Sequence, residues 1–156
     1  MKLGILKLSV VLILACSFSV VLAAQEKKLK KSDLPAPVQK AADEQTQGAT
    51  VLGYASEVEG GKVQYEVETM VSGHSRDVTM SSDGSVLEVE EQVALDSLPA
   101  AVREGLQKKA GAGKIAKVET LTKKNKLVAY EAQVLHGKKH SEVQVGPEGQ
   151  TLDHLE

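Results

Sequence analysis

Residues 34–45 read LPAPVQKAADEQ, and residues 98–109, which begin 64 positions later, read LPAAVREGLQKK. The similarity continues beyond these stretches. QYEVE at 64–68 aligns with AYEAQ at 129–133, and DVTMSSDGSVL aligns with EVQVGPEGQTL. The chain therefore contains an internal duplication of one supersecondary unit.

Each copy opens with a pattern that is typical of an amphipathic helix. Core-facing positions recur every three or four residues, at Leu34, Val38, Ala41 and Gln45 in the first copy and at Leu98, Val102, Gly105 and Leu106 in the second. Ser32-Asp33 and Asp96-Ser97 stand where N-caps are expected, and a proline follows in each first turn. Gly48 and Gly111 end the two patterns.

Four runs that favour β-strands follow each helix, and turn-forming residues separate them. The predicted strands are 50–59, 62–72, 75–81 and 85–90 in the first copy and 114–122, 126–136, 139–145 and 150–155 in the second. The connections are short, as in Gly60-Gly61 and Asp83-Gly84, so neighbouring strands should be antiparallel. A unit of about 60 residues buries only ~60% of its surface and is marginally stable alone, so the copies should pack together.

Alternation along the strands predicts which side of the sheet meets the helices. Val63, Tyr65 and Val67 extend to one side, whereas Glu66 and Glu68 extend to the other. The predicted fold class is α+β, with two tandem repeats. Each repeat is one helix packed on a four-stranded antiparallel meander, and the two meanders form either one continuous curved sheet or two separate sheets.

The first residues have the layout of a secretory signal peptide. Lys2 and Lys7 precede an apolar run that ends at Leu22, and a polar segment follows it. The predicted organisation is a signal peptide at 1–23, a flexible leader at 24–33, repeat 1 at 34–91, a linker at 92–97 and repeat 2 at 98–156. Cleavage after Ala23 would leave a mature chain without cysteine, whereas Cys16 in a lipoprotein-like box leaves lipidation as an alternative.

The duplicated pattern resembles the PepSY-like family, and more specifically its beta-lactamase-inhibitor-like branch. The resemblance covers 34–156 and rests on Leu34-Pro35, Tyr65-Glu66-Val67 and Asp83-Gly84, with Leu98-Pro99, Tyr130-Glu131 and Glu148-Gly149 as their second-copy matches. The second copy departs from the pattern at Ala132 and Pro147. The resemblance implies a non-catalytic binding protein that inhibits or regulates a secreted or periplasmic peptidase or other hydrolase. It assigns no residue that contacts the target.

Charge is segregated between the copies. Residues 34–91 carry 3 basic and 11 acidic side chains, whereas residues 98–156 carry 10 basic and 7 acidic ones. Strand parity places seven carboxylates on the side away from the helix, and we call this predicted partner-binding surface the acidic face: Glu57, Glu59, Glu66, Glu68, Asp77, Glu88 and Glu90. It could dock a basic protein surface, collect cations or small basic ligands as a cell-envelope sensor, or simply keep an exposed sheet soluble.

Other chemistry has little support in the sequence. His136 and His140 flank a hairpin turn and are weak candidates for a metal site, because Lys138 and Lys139 between them would repel a dication. No nucleophile is paired with a base and a third orienting group, so we expect no enzyme and no cofactor. The chain lacks tryptophan and a basic excess, which argues against nucleic acid as a partner. We expect a monomer that has no transmembrane segment after cleavage.

Overall fold

The computed structural model describes Glu26–Glu156, so the predicted signal peptide and Cys16 lie outside the described residues. These residues form two α-helices and eight strands. The helices are α1 (Ala36–Gln45) and α2 (Ala100–Ala110). The strands are β1 (Lys27–Leu29), β2 (Thr50–Glu59), β3 (Lys62–Val71), β4 (His74–Ser81), β5 (Val86–Gln92), β6 (Lys114–Lys123), β7 (Lys126–His136) and β8 (Lys139–Val145).

All eight strands belong to one antiparallel sheet in which they lie side by side in chain order. Strands β5 and β6 join the two copies, with Glu88 opposite Lys123 and Gln92 opposite Glu119. The predicted α+β class and the continuous sheet are confirmed, and each copy contributes one helix to the same side of that sheet.

Each helix covers its own apolar cluster. In the first copy, Val38 of α1 packs with Val67, Val78 and Met80 of the sheet. In the second copy, Val102 and Leu106 of α2 pack with a cluster of sheet residues that includes Val118, Ala132, Val134 and Val145. Because Val67 lies opposite Val78, and Val118 lies opposite Ala132, strand register places these side chains on the helix side. No helix among residues 26–156 is long and apolar enough to cross a bilayer.

The helices begin differently from the sequence prediction. Pro35 and Pro99 are themselves the N-cap residues, and neither helix has a side-chain N-cap hydrogen bond. The residues that were predicted as caps lie in short 3₁₀ turns, Lys31–Asp33 and Leu95–Ser97, before the prolines. Proline keeps the residue before it out of the helical region, so neither Leu34 nor Leu98 can belong to a helix. The helices therefore cannot begin at the predicted caps, which come before these leucines.

Arg76 on β4 supports the end of α1. Its Nη1 donates to the carbonyl oxygen of Gln45 at 3.1 Å, and its Nη2 donates to Gln45 Oε1 at 3.2 Å. The last carbonyls of a helix lack intrahelical donors and carry partial negative charge, so a half-buried guanidinium stabilises them. We expect Arg76→Ala to lower the free energy of unfolding by about 1–2 kcal/mol in urea denaturation. The control Lys40→Ala, which removes only an exposed 3.9 Å pair with Glu44, should change it by less than about 0.5 kcal/mol. An equal loss in both variants would contradict this role.

Two segments depart from the predicted secondary structure. The leader that was predicted to be flexible contributes β1, in which Lys27 lies opposite Ser56 and Leu29 lies opposite Tyr54. The run 150–155, which was predicted as the last strand of the second copy, forms no strand. The sheet still has eight strands, because β1 adds a strand next to β2 in place of the missing last strand. Strands β1 and β8 form the two edges of the sheet.

The turns after β4 and β8 are equivalent and pack on the first turns of the helices. Gly84 and Gly149 have φ values of +84° and +78°, which favour glycine. A Cβ at Gly84 would lie 2.6 Å from the carbonyl oxygen of Pro37, and one at Gly149 would contact the carbonyl of Ala101. The Asp83-Gly84 and Glu148-Gly149 matches thus have one structural explanation: each turn contacts the helix of its own copy.

Candidate protein-binding face

The strand register gathers the seven carboxylates of the acidic face on one side of the sheet, opposite the helices. Glu68 lies opposite Asp77, which in turn lies opposite Glu90. In the next row, Glu66 and Glu88 lie on either side of Thr79. Glu57 and Glu59 continue the same side along β2, opposite Gln64 and Lys62 respectively.

The β5–β6 pairing extends this side of the sheet into the second copy. Gln92 lies opposite Glu119, Glu119 opposite Glu131 and Glu131 opposite Gln144, so one polar row crosses four strands. Sequence reasoning missed Glu119 and Glu131. The duplication itself could have identified Glu131, because Tyr130-Glu131 aligns with Tyr65-Glu66.

The acidic face is half-buried rather than fully solvated. Of its seven carboxylates only Glu59 is exposed and the other six are half-buried, and the neighbouring Glu119 is only 3% exposed. Leu121, which lies opposite Glu90, is only 1% exposed. Both described α-helices pack on the other side of the sheet, so these side chains are covered by neighbours on their own side. These glutamates are therefore less exposed than their place on the polar side of the sheet suggests.

Burial changes the protonation of these carboxyls. It raises the pKa of Glu66 from 4.5 to about 7, with a further contribution from the charges of Asp77 and Glu68. Burial also raises the pKa of Glu90 from 4.5 to about 8, and the charges of Glu119 and Glu88 add to the effect. The pKa of Asp77 is raised by burial, although the backbone N–H of Thr69 offsets part of the shift. Part of the acidic face is therefore protonated near neutral pH.

Three carboxylates from three strands meet where the copies join. Oxygen atoms of Asp77, Glu90 and Glu119 lie within 4.8 Å of one another. Lys117 Nζ lies 2.6 Å from Glu119 Oε1, and Ser75 Oγ donates to the same oxygen at 3.3 Å. Such a cluster can relieve its repulsion by holding protons or by accepting a cation, either a metal ion or a basic side chain. Sequence spacing could not predict it, because the cluster depends on the register of β4, β5 and β6.

A cavity of about 320 Å³ opens on the same side of the sheet. Glu57, Glu59 and Glu88 of the first copy and Glu156 of the second provide acidic walls, and Lys123 and Lys124 provide a basic one. Lys123 Nζ lies 3.2 Å from Glu88 Oε2, so an ion pair between the two copies borders the cavity. The surface therefore combines a predominantly acidic area from the first copy with a basic margin from the second.

The two histidines that were weak metal candidates are not brought together. His136 lies opposite Lys139, whereas His140 lies opposite Leu135 in the next row. Successive positions of a strand extend to opposite sides, so the two imidazoles lie on opposite sides of the hairpin. The hairpin therefore does not bring the two rings together, as a shared metal site would require. His140 instead lines a cavity of about 370 Å³ together with Gln133, Ser141 and Glu142.

The fold and the face define a class of protein: a helix-backed antiparallel sheet whose other side is open and acidic. Neither a family model nor a curated protein matches the sequence. Three solved structures share the fold. A BLIP-like protein from Bacteroides fragilis is 20% identical, with a TM-score of 0.56 over 76% of this chain and 83% of its own.

The other two structures also come from Bacteroides. A protein from Bacteroides eggerthii that is inferred to be periplasmic is 19% identical, with a TM-score of 0.60 over 75% of this chain and 84% of its own. A DUF2874 family protein from Bacteroides ovatus is 17% identical, with a TM-score of 0.59 over 77% of this chain and 85% of its own. At these identities the likeness establishes the fold.

Proposed function

We propose that this protein is an exported, non-catalytic binding protein. Its acidic face docks a secreted or periplasmic peptidase or other hydrolase and inhibits or regulates that enzyme by steric occlusion. The observation that carries the proposal is the open side of the sheet, which spans both copies and bears half-buried carboxylates. Export rests on the predicted signal peptide. The hydrolase as target rests on the beta-lactamase-inhibitor-like resemblance and on the fold shared with a BLIP-like protein.

The open side of the sheet is large enough for a stable interface. Eight strands about 4.8 Å apart give a width of roughly 34 Å, and strands of about ten residues are roughly 33 Å long. The resulting footprint of roughly 1,000 Å², part of which is covered because its carboxylates are half-buried, is of the same order as the ~800 Å² that each partner contributes to an interface of standard size. A sheet supported by two helices also changes shape little on binding, which favours occlusion of a rigid cleft.

The charge of this face selects the chemistry of the partner. A basic side chain that approaches Asp77 and Glu90 would replace protons with a charge-assisted hydrogen bond, which is stronger than a neutral one. The charge of the first copy would also attract a basic surface over a distance of about 8–10 Å at physiological salt. The target should therefore present lysine or arginine residues around its active-site cleft.

Capture followed by inhibition tests this function. The chain from residue 24 onward is immobilised and exposed to the secreted and periplasmic proteins of its source, and each hydrolase retained is assayed with increasing free protein. We expect at least one hydrolase to lose most of its activity in a saturable manner. Full activity at saturating protein in every captured hydrolase would contradict the proposal.

A thermal shift assay separates this function from the alternative that the sequence leaves open, a sensor of cations or small basic ligands. A sensor would be stabilised by calcium alone, because a ligand that binds only the folded state raises the melting temperature. The binding protein should instead be stabilised by the captured hydrolase and show little response to millimolar calcium. A large calcium response together with no inhibition would favour the sensor.

A further inference from the structure

The second copy lacks a strand that the first copy has. In the first copy, β5 covers the outer edge of β4, with Val89 opposite Val78 and Glu90 opposite Asp77. An offset of 65 residues places β8 at the position of β4 and residues 151–156 at the position of 86–91. Those residues form no strand, and within the described part of the chain β8 pairs with β7 alone.

The sequence explains why this segment does not pair. Val86 and Val89 of β5 pack against the apolar cluster of the first copy. Their equivalents are Thr151 and His154, and no residue of 151–156 packs against the second cluster. A strand whose core-facing positions are polar gains too little from burial to offset the entropy cost of ordering it.

The segment is held close to β8 without covering its edge. The backbone N–H of Glu156 donates to Gln144 Oε1 at 2.8 Å, and the turn before the segment is closed by a 2.9 Å hydrogen bond from Gly146 N to Gln150 O. The first four residues of β8, 139–142, are exposed, whereas Gln144 and Val145 at its other end are buried. An edge strand in this state presents unpaired N–H and C=O groups to an incoming chain.

We propose that the outer edge of β8 binds an extended segment of a partner protein by strand addition. The first copy supplies the template for that segment. The partner segment carries β-branched apolar residues at the positions that correspond to Val86 and Val89 of β5. The residue that corresponds to Val89 lies opposite Val143. In the same register the residue equivalent to Glu90 lies opposite Glu142 and is not acidic in the partner, whereas the residue equivalent to Glu91 lies opposite Ser141, next to Lys139, and is acidic. Main-chain hydrogen bonds supply the affinity of such an interaction, and the side-chain pockets supply its specificity. The proposal does not rest on the acidic face, although Glu156 of the same segment lines the cavity on that side of the sheet.

The experiment uses the sequence of β5 as the probe. A synthetic peptide of residues 85–92, SVLEVEEQ, is added at up to about 1 mM, and amide hydrogen exchange is followed residue by residue. We expect the outward-facing amides of β8 to exchange rapidly in the free protein and to become at least about tenfold more protected with the peptide. A peptide in which serine replaces both valines should give no protection.

A variant that closes the edge from within provides the second measurement. Thr151→Val combined with His154→Val restores the core-facing positions, so residues 151–156 should pair with β8, protect its amides and prevent peptide binding. Thr151→Ser with His154→Gln is the matched control and should bind the peptide as the parent does.

Three outcomes would overturn the proposal. One is that the outward-facing β8 amides of the free protein are already as protected as those of β4. Another is that the two peptides protect β8 equally or not at all. The third is protection that grows with protein concentration in the absence of peptide, which would identify a second copy as the occupant.

Discussion

Glu90→Gln should stabilise the protein at pH 8 by roughly 2–4 kcal/mol and leave its stability at pH 4.5 almost unchanged. The reason is that burial, with the charges of Glu119 and Glu88, raises the pKa of Glu90 from 4.5 to about 8. The folded state therefore penalises the ionised carboxyl, and an amide of the same shape avoids the penalty. Urea denaturation at several pH values measures the effect.

The sign of the pH dependence follows from proton linkage. Between pH 4.5 and about 8, the unfolded chain has lost the proton of Glu90, whereas the folded chain still holds it. Stability is therefore complete below pH 4.5 and falls as the pH rises through about 8. Glu66, whose pKa burial raises to about 7, adds a smaller contribution of the same sign because solvent screens it more.

A matched variant distinguishes burial from net charge. Glu104→Gln removes the same charge from the exposed surface of α2 and should change stability by less than about 0.5 kcal/mol at any pH. Two results would contradict the claim that burial raises the pKa of Glu90. One is that Glu90→Gln leaves the slope of stability against pH unchanged, and the other is that both variants change this slope equally.

The duplication made most of the fold predictable. The Leu-Pro pairs located both helices, and the alternation from Val63 to Glu68 assigned the two sides of β3 correctly. These features follow from local periodicity, which a sequence displays directly. Because the two copies share one pattern, each element of one copy supported its counterpart in the other.

The errors arose where pairing or burial depends on distant residues. Strand β1 is a three-residue segment, KKL, whose pairing with β2 no periodicity could indicate. The run 150–155 was predicted as a strand, but the positions that would face the core are occupied by Thr151 and His154. Alternation likewise shows to which side Glu119 extends, but not that its neighbours bury it to 3% exposure.

Burial and docking are linked on the acidic face. Carboxyl groups that hold protons near neutral pH attract a distant basic partner less strongly than the same groups would if they were fully ionised. They can ionise once a lysine or arginine contacts them. Binding should therefore release protons, and its affinity should rise with pH in the range where Glu66 and Glu90 titrate, around pH 7–8. Charge on this face thus contributes both to the rate of encounter and to the stability of the complex.

Reversing two charges of the acidic face should slow association with the hydrolase by about 10–100-fold at low salt. Glu66→Lys with Glu68→Lys changes two positions on β3, two residues apart, that extend to the same side as Asp77 and Glu90. The new lysines would meet neighbouring carboxylates, so the fold should be preserved. Stopped-flow association at 20–500 mM salt measures the effect, and the dependence of the rate on salt should become flatter because the long-range attraction is lost.

The control makes the same change in net charge on the helix side. Glu44→Lys with Glu104→Lys replaces two exposed glutamates on α1 and α2 and should alter the association rate by less than about threefold. Equal slowing by both pairs would mean that net charge alone steers the encounter. If neither pair changes the rate or its dependence on salt, the acidic face does not guide docking, and any inhibition must come from another surface. A specific effect of the β3 pair would place the encounter on the open side of the sheet, because only that pair lies there.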